Sequence, residues 1–328
     1  MLSLALLASV HRLSLTVVCI DHGLRRSAAD EAAAVVQVAQ RLGLSGQVCR
    51  VGVPDGASRQ AQARQARYSA LSQLASAHSA RFIAVGHTRD DQAETMLMRW
   101  LAGAGPAGLC GMSAVAPVPL PTAASPNSAA PASPSAVLLR PLLAVSRAQV
   151  SAFLARAGDA IAPLPHTDPS NGDPRYLRSR LRSEVLPLLR QLAPNLDDHL
   201  LTLSDQLRHD TECLDALAQQ ALQRVRWSDP ADPESCVLSV RALLKLPRAV
   251  AARVLRLACG DGLGARHVDA LLAVCQTTGG IAWLDLPGCG RVERRFDLLR
   301  LPPRHAPGRP TAPTEKVDPG LDGCQSDG

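Results

Sequence analysis

The chain has 328 residues, a formal net charge of +6, 46% apolar residues and 20% charged residues. This is the balance of a globular chain long enough for about two domains, and it excludes collagen-like, coiled-coil-array and membrane-bundle classes. Three Trp, three Phe and two Tyr are the only aromatics, so the core is built from Leu, Val and Ala, and an aromatic platform for bases is disfavoured. All but two of the 35 basic residues are Arg, the exceptions being Lys245 and Lys316. The planar guanidinium fork suits phosphate, but GC-rich coding explains an Arg excess as a whole, so only local clusters count. The nine cysteines contain no C-x-x-C pair, which speaks against a zinc finger or a dithiol redox centre. Scattered thiols fit a reducing compartment. No run approaches the ~20 apolar residues of a membrane span, so the expectation is a cytoplasmic protein without a membrane partner.

Taken in chain order, Leu2–Val10 reads as a helix and Leu15–Ile20 as a strand buried on both faces. Ser27 with Asp30 forms a capping-box signal for a helix that stops at Gly43. Gln47–Val53 is a second strand, Ser58 opens another helix, Phe82–Val85 is a third strand, and Asp90–Leu101 is a helix closed by Gly103 and Gly105. This alternation predicts an α/β domain with a parallel sheet over residues 1–192. Residues 113–136, rich in Pro, Ala and Ser, read as a disordered surface insertion. The fold resumes at Val137–Leu143, with helices at 146–158 and 177–192. A long amphipathic linker helix follows at 193–228. A small α+β domain follows over 236–302, with helices at 247–259 and 264–276 and a hairpin-like end. Residues 303–328 read as a disordered tail.

Two clusters fall where parallel sheets place functional residues, at the carboxyl ends of strands. Asp21, His22 and Arg25 follow the first strand, and His87, Asp90, Asp91 and Glu94 follow the third. Asp90 and Glu94 lie one helical turn apart. A capping box formed by Thr88 and Asp91 accounts for those two residues, but not for His87, Glu94 or the first cluster. Carboxylates near a phosphate require a cation between them, so a nucleotide site with Mg²⁺ held by Asp90 and Glu94 accounts for more of the residues. Arg64 and Arg67 lie on the intervening helix and read equally well as solvated arginines. Arg175, Arg178, Arg180 and Arg182 crowd a helix start, where positive charge opposes the helix dipole and an anionic partner such as RNA phosphate is expected. Arg291, Arg294 and Arg295 form a weaker second patch.

The runs DHGLRRSA, QARQARY, GHTRDDQAET and GAGPAGLCGM, followed in order by RPLL, DPSN, RSRLRSEVLPLL and LPGCGRV, resemble bacterial tRNA(Ile)-lysidine synthetases. The resemblance runs from about residue 3 to 301. It implies a PP-loop ATP-pyrophosphatase (adenine nucleotide alpha hydrolase-like) domain, a linker helix and a small substrate domain. It also implies the activity: a carbon–nitrogen ligase that adenylates the wobble cytidine of an isoleucine tRNA with ATP and Mg²⁺. Free L-lysine then displaces AMP to form lysidine, with pyrophosphate as the other product. Carried over, Asp21, His22 and Arg25 line the nucleotide pocket, with Arg64 and Arg67 as phosphate partners. Asp21, His87, Asp90, Asp91 and Glu94 are the catalytic set, the last four on the lysine and metal side. The family's Ser-Gly-Gly-x-Asp-Ser loop and the strand before it have no counterpart here. The expectation is a natural start upstream of Met1. The alternatives are a non-catalytic tRNA-binding remnant and a tRNA thiolase of the same superfamily. A homodimer through the long helix is a further expectation.

Overall fold

The computed structural model describes residues 2–22, 28–52, 59–119, 136–158, 175–227, 236–260, 263–277, 280–287 and 289–301. Those up to residue 215 pack as one unit and those from 216 as a second.

The first unit opens with α1 (Leu2–Val10), β1 (Thr16–Asp21), α2 (Ala28–Arg41) and β2 (Ser45–Arg50). Strands β1 and β2 run parallel, paired from Thr16 opposite Ser45 to Asp21 opposite Arg50. The β-branched run at 16–18 favours extended backbone, and α2 presents Val35, Ala39 and Leu42 to Val17 of β1 and Ala5 of α1. Gly43 ends this helical segment at φ +72°, the left-handed conformation that glycine adopts without steric cost.

Next come α3 (Arg59–Ala77), β3 (Phe82–Ala84), α4 (Arg89–Leu101), α5 (Pro106–Leu109), β4 (Val115–Pro117) and β5 (Val137–Leu139). Here β5 lies between β3, to which it is parallel, and β4, to which it is antiparallel. Tyr68 and Ala75 of α3 pack on Ile83, Leu138, Val118 and Ala136 to make this sheet's core. The unit continues with α6 (Arg147–Ala157), α7 (Leu177–Arg180), a π-helical turn (Leu181–Val185) and α8 (Leu186–Leu192). The long α9 (Leu196–Val225) follows.

One expectation is corrected. The stretch 113–136 is not irregular throughout, because Val115–Pro117 pairs with β5 and Val118 is buried. Pairing with β5 and the burial of Val118 just beyond it seat this short strand, and its proline is tolerated because β4 is an edge strand. Residues 120–135, and the tail from 302, lie outside the described residues.

The second unit contains β6 (Arg226–Trp227), β7 (Cys236–Ser239), α10 (Val240–Leu244), α11 (Arg248–Cys259) and α12 (Ala265–Gln276). It ends with β8 (Ile281–Leu286), β9 (Gly290–Arg295) and β10 (Leu298–Leu301). Its sheet is antiparallel in the order β6-β7-β10-β9-β8. Val254, Leu255, Leu271, Val292 and Leu299 are fully buried in it.

Candidate active site

The site is built around the first turn of α4, just past the carboxyl end of β3. Thr88 caps the helix, and its backbone N–H and hydroxyl both donate to Asp91 Oδ2 at 2.8 Å. Half of the predicted capping box is therefore present: the third helical residue reaches back to the cap. The threonine hydroxyl is spent on the carboxylate and makes no side-chain bond to the helix backbone.

Glu94, one turn further on, is 0% exposed. A buried carboxylate persists only when its charge is met, and here guanidinium groups meet it. Arg182 donates from Nε to Glu94 Oε1 at 2.7 Å and from Nη2 to Oε2 at 3.0 Å. Arg178 donates from Nε to Oε2 at 2.7 Å and from Nη2 to Asp91 Oδ1 at 3.1 Å. Arg147 stands 3.4 Å from Asp91 and 3.5 Å from Glu94. Asp90 accepts from the Arg147 backbone N–H at 2.7 Å and from Arg190 at 3.0 Å, and Arg190 also forks onto Asp197. Three carboxylates thus hold four arginines.

The ionisation of the cluster follows from these contacts. Burial pushes the Asp90 carboxyl up, but the Arg147 N–H and the Arg190 guanidinium outweigh it and leave Asp90 below the usual carboxylate range. Asp91 behaves alike, with Thr88, Arg178 and Arg147 overcoming its burial. His87 is pushed the other way for a base: burial brings its pKa down to about 4, assisted by Arg140 and opposed by Asp91. It is neutral at physiological pH.

At the end of β1, Asp21 is 6% exposed and lies 3.5 Å from Arg50. His22 Nε2 accepts from Arg67 at 3.2 Å, while its Nδ1 is buried and unpartnered. Burial and Arg67 lower the His22 pKa. Arg64 stacks on the Tyr68 ring, 5.0 Å from its centroid. Arg25 lies outside the described residues.

The structure therefore brings Asp90, Asp91 and Glu94 together, as the spacing implied. It places Arg178 and Arg182 against them, with both side chains still partly exposed. Arg180 instead makes an exposed pair with Glu184 at 3.4 Å. Arg147 and Arg190 escaped the sequence reading because each is distant in sequence and carries no local pattern, while Arg140 opens the RPLL run but had no role attached to it. For Arg178 and Arg182 the signal was available, since four arginines against a helix dipole demanded an anion. Within the chain, the anions they meet are Glu94 and Asp91.

The PP-loop domain family model matches residues 1–189. A tRNA(Ile)-lysidine synthase from Salinispora tropica is 42% identical over 86% of this chain and 80% of its own length. This chain belongs to the tRNA(Ile)-lysidine synthase family. The family's member from Thermobifida fusca is 38% identical over 84% of this chain and 79% of its own, and that from Leifsonia xyli 37% over 87% and 80%. A solved U34-tRNA thiolase of Methanococcus maripaludis shares 16% identity with a TM-score of 0.44, over 63% of this chain and 68% of that one.

Proposed function

We propose that this chain joins L-lysine to the wobble cytidine of an isoleucine tRNA at the α4 cluster, with ATP converted to AMP and pyrophosphate. Membership of the lysidine synthase family supports the reaction. The observation that carries its location is a fully buried Glu94 gripping two guanidinium groups that stay 41% and 32% exposed. Carboxylates fixed behind arginines make an anion site whose charge is held in place before the substrate arrives. Such a site suits the phosphates of ATP, of the adenylated intermediate and of the anticodon backbone. In this reading the nucleotide lies between the α4 cluster and Asp21, His22 and Arg67. The lysine ammonium takes up a carboxylate oxygen from which a partly exposed arginine moves away. No described helix is long and apolar enough to cross a membrane, and the reaction belongs in the cytoplasm, where tRNA is.

Mg²⁺ at Asp90 and Glu94 does not fit the donor set. Both Glu94 oxygens and both Asp90 oxygens already accept charged or backbone donors. Among the described residues no group of three His, Cys, Asp or Glu side chains could hold a metal ion. These carboxylates hold arginine.

The test is product release. The protein should release pyrophosphate from ATP only with a wobble-cytidine isoleucine tRNA, and AMP only when lysine is present as well, and Arg182→Ala should lower turnover at least 100-fold. Release that ignores the wobble base would contradict the reading.

A further inference from the structure

Arg140 is a buried cation, 6% exposed, that makes no ion pair with a carboxylate among the described residues. Burial lowers its pKa, with Tyr68 as a stabilising neighbour. It uses neutral acceptors: Nη1 donates to the Ser113 carbonyl at 2.6 Å, and Nε donates to His87 Nδ1 at 3.2 Å. The Ser113 carbonyl is itself fixed. The neighbouring Met112 is clamped at both backbone groups by Gln92 of α4, which is 1% exposed. Its Oε1 accepts from Met112 N–H at 2.7 Å, and its Nε2 donates to Met112 O at 3.1 Å. Ser204 and Arg208 of α9 close the same loop, binding the Cys110 carbonyl at 2.6 and 3.2 Å. A chain of contacts therefore runs from Gln92 through the 110–113 loop and Arg140 to His87.

A guanidinium can only donate, so the nitrogen facing it must accept. We infer that Arg140 is a positioning residue that fixes the tautomer of His87. With Nδ1 committed as acceptor, the single proton of the neutral ring sits on Nε2. His87 is thereby a hydrogen-bond donor to an oxygen of the bound substrates, and does not take up a proton from them. This rests on the active-site reading above, and it names a role for a side chain whose partner there was unspecified. A donor fixed in advance costs no reorganisation when charge develops on that oxygen.

The test is ¹⁵N NMR of the full chain labelled in histidine, read alongside turnover. The expected wild-type signature is a protonated Nε2 and an unprotonated Nδ1 for His87 from pH 5 to 8. Arg140→Met should yield a mixture of tautomers and lower kcat at least tenfold with little change in the KM for lysine. Arg140→Lys, which like arginine can only donate, should restore both. His87→Gln places an amide nitrogen near the Nε2 position and should retain more kcat than His87→Asn, which mimics Nδ1. A protonated Nδ1 in the wild type overturns the inference even if every variant fails to fold, and so does an unchanged tautomer in folded Arg140→Met. A wild type with the expected tautomer but no turnover would instead overturn the functional reading and leave the tautomer assignment standing.

Discussion

At the residue scale, the charge on Glu94 governs the site. Replacing it by Gln keeps the shape but leaves Arg178 and Arg182 facing an amide whose nitrogen cannot accept. Breaking a buried pair by removing one charge costs about 3–5 kcal/mol, lowered here toward about 3 because both arginines remain partly solvated. Glu94→Gln should therefore lower the urea midpoint by that equivalent, and a change within error would show that the pairs are dispensable. His87 yields a pH prediction whose sign is fixed. The unfolded chain binds this proton near the ordinary value of 6.5 and the folded chain only near 4, so folding stability falls as pH drops from about 6.5 to about 4. Below the ordinary carboxylate value of 3.8, protonation of Asp90 and Asp91 adds a further loss. Urea melts across pH should show the upper slope vanish in His87→Gln.

At the element scale, the turn that carries Met112 is set by Gly111, at φ +67° with an added Cβ falling 2.5–2.7 Å from the Gln92 carboxamide. Gly111→Ala would meet both the left-handed backbone penalty and a buried side chain that cannot retreat without giving up its hydrogen bonds. A loss of about 2–3 kcal/mol is expected, read as a fall in Tm, together with lower turnover as the loop releases Arg140. The helices and parallel strands were legible in the sequence because periodicity and caps are local signals: α2, α4, α6, α11 and α12 lie within two residues of their predicted bounds. What was not legible needed distant partners. Strand β4 has too few residues to show a period, and β7 with α10 follows a polar linker without a pattern of its own. The π-helical turn at 181–185 is absent from any periodic reading. It lies within the segment carrying Arg178 and Arg182, both of which reach Glu94, and single π-helical turns inside helices are frequent at functional sites. The acid cluster was legible from spacing, whereas its four arginine partners, from residues 147 to 190, became neighbours only through the fold.

At the scale of the whole molecule, the +6 net charge and the exposed arginines outside the cluster are what remains to meet the body of a tRNA. Arg180 is 58% exposed and only loosely paired with Glu184. Arg180→Ala should weaken tRNA binding modestly and reduce the slope of log affinity against log salt by about 1. Arg178→Ala, whose partner is Glu94, should lower turnover far more than affinity. If the two variants behave alike, the division between a tRNA-facing surface and an internal arginine cluster is wrong. The reaction itself is read by mass spectrometry of nucleosides from an isoleucine tRNA incubated with the native protein, ATP and lysine. The wobble cytidine alone should gain the mass of lysine less one water, and only when ATP is present. An unchanged cytidine after incubation with folded protein, or a sulfur-containing product in its place, would contradict it.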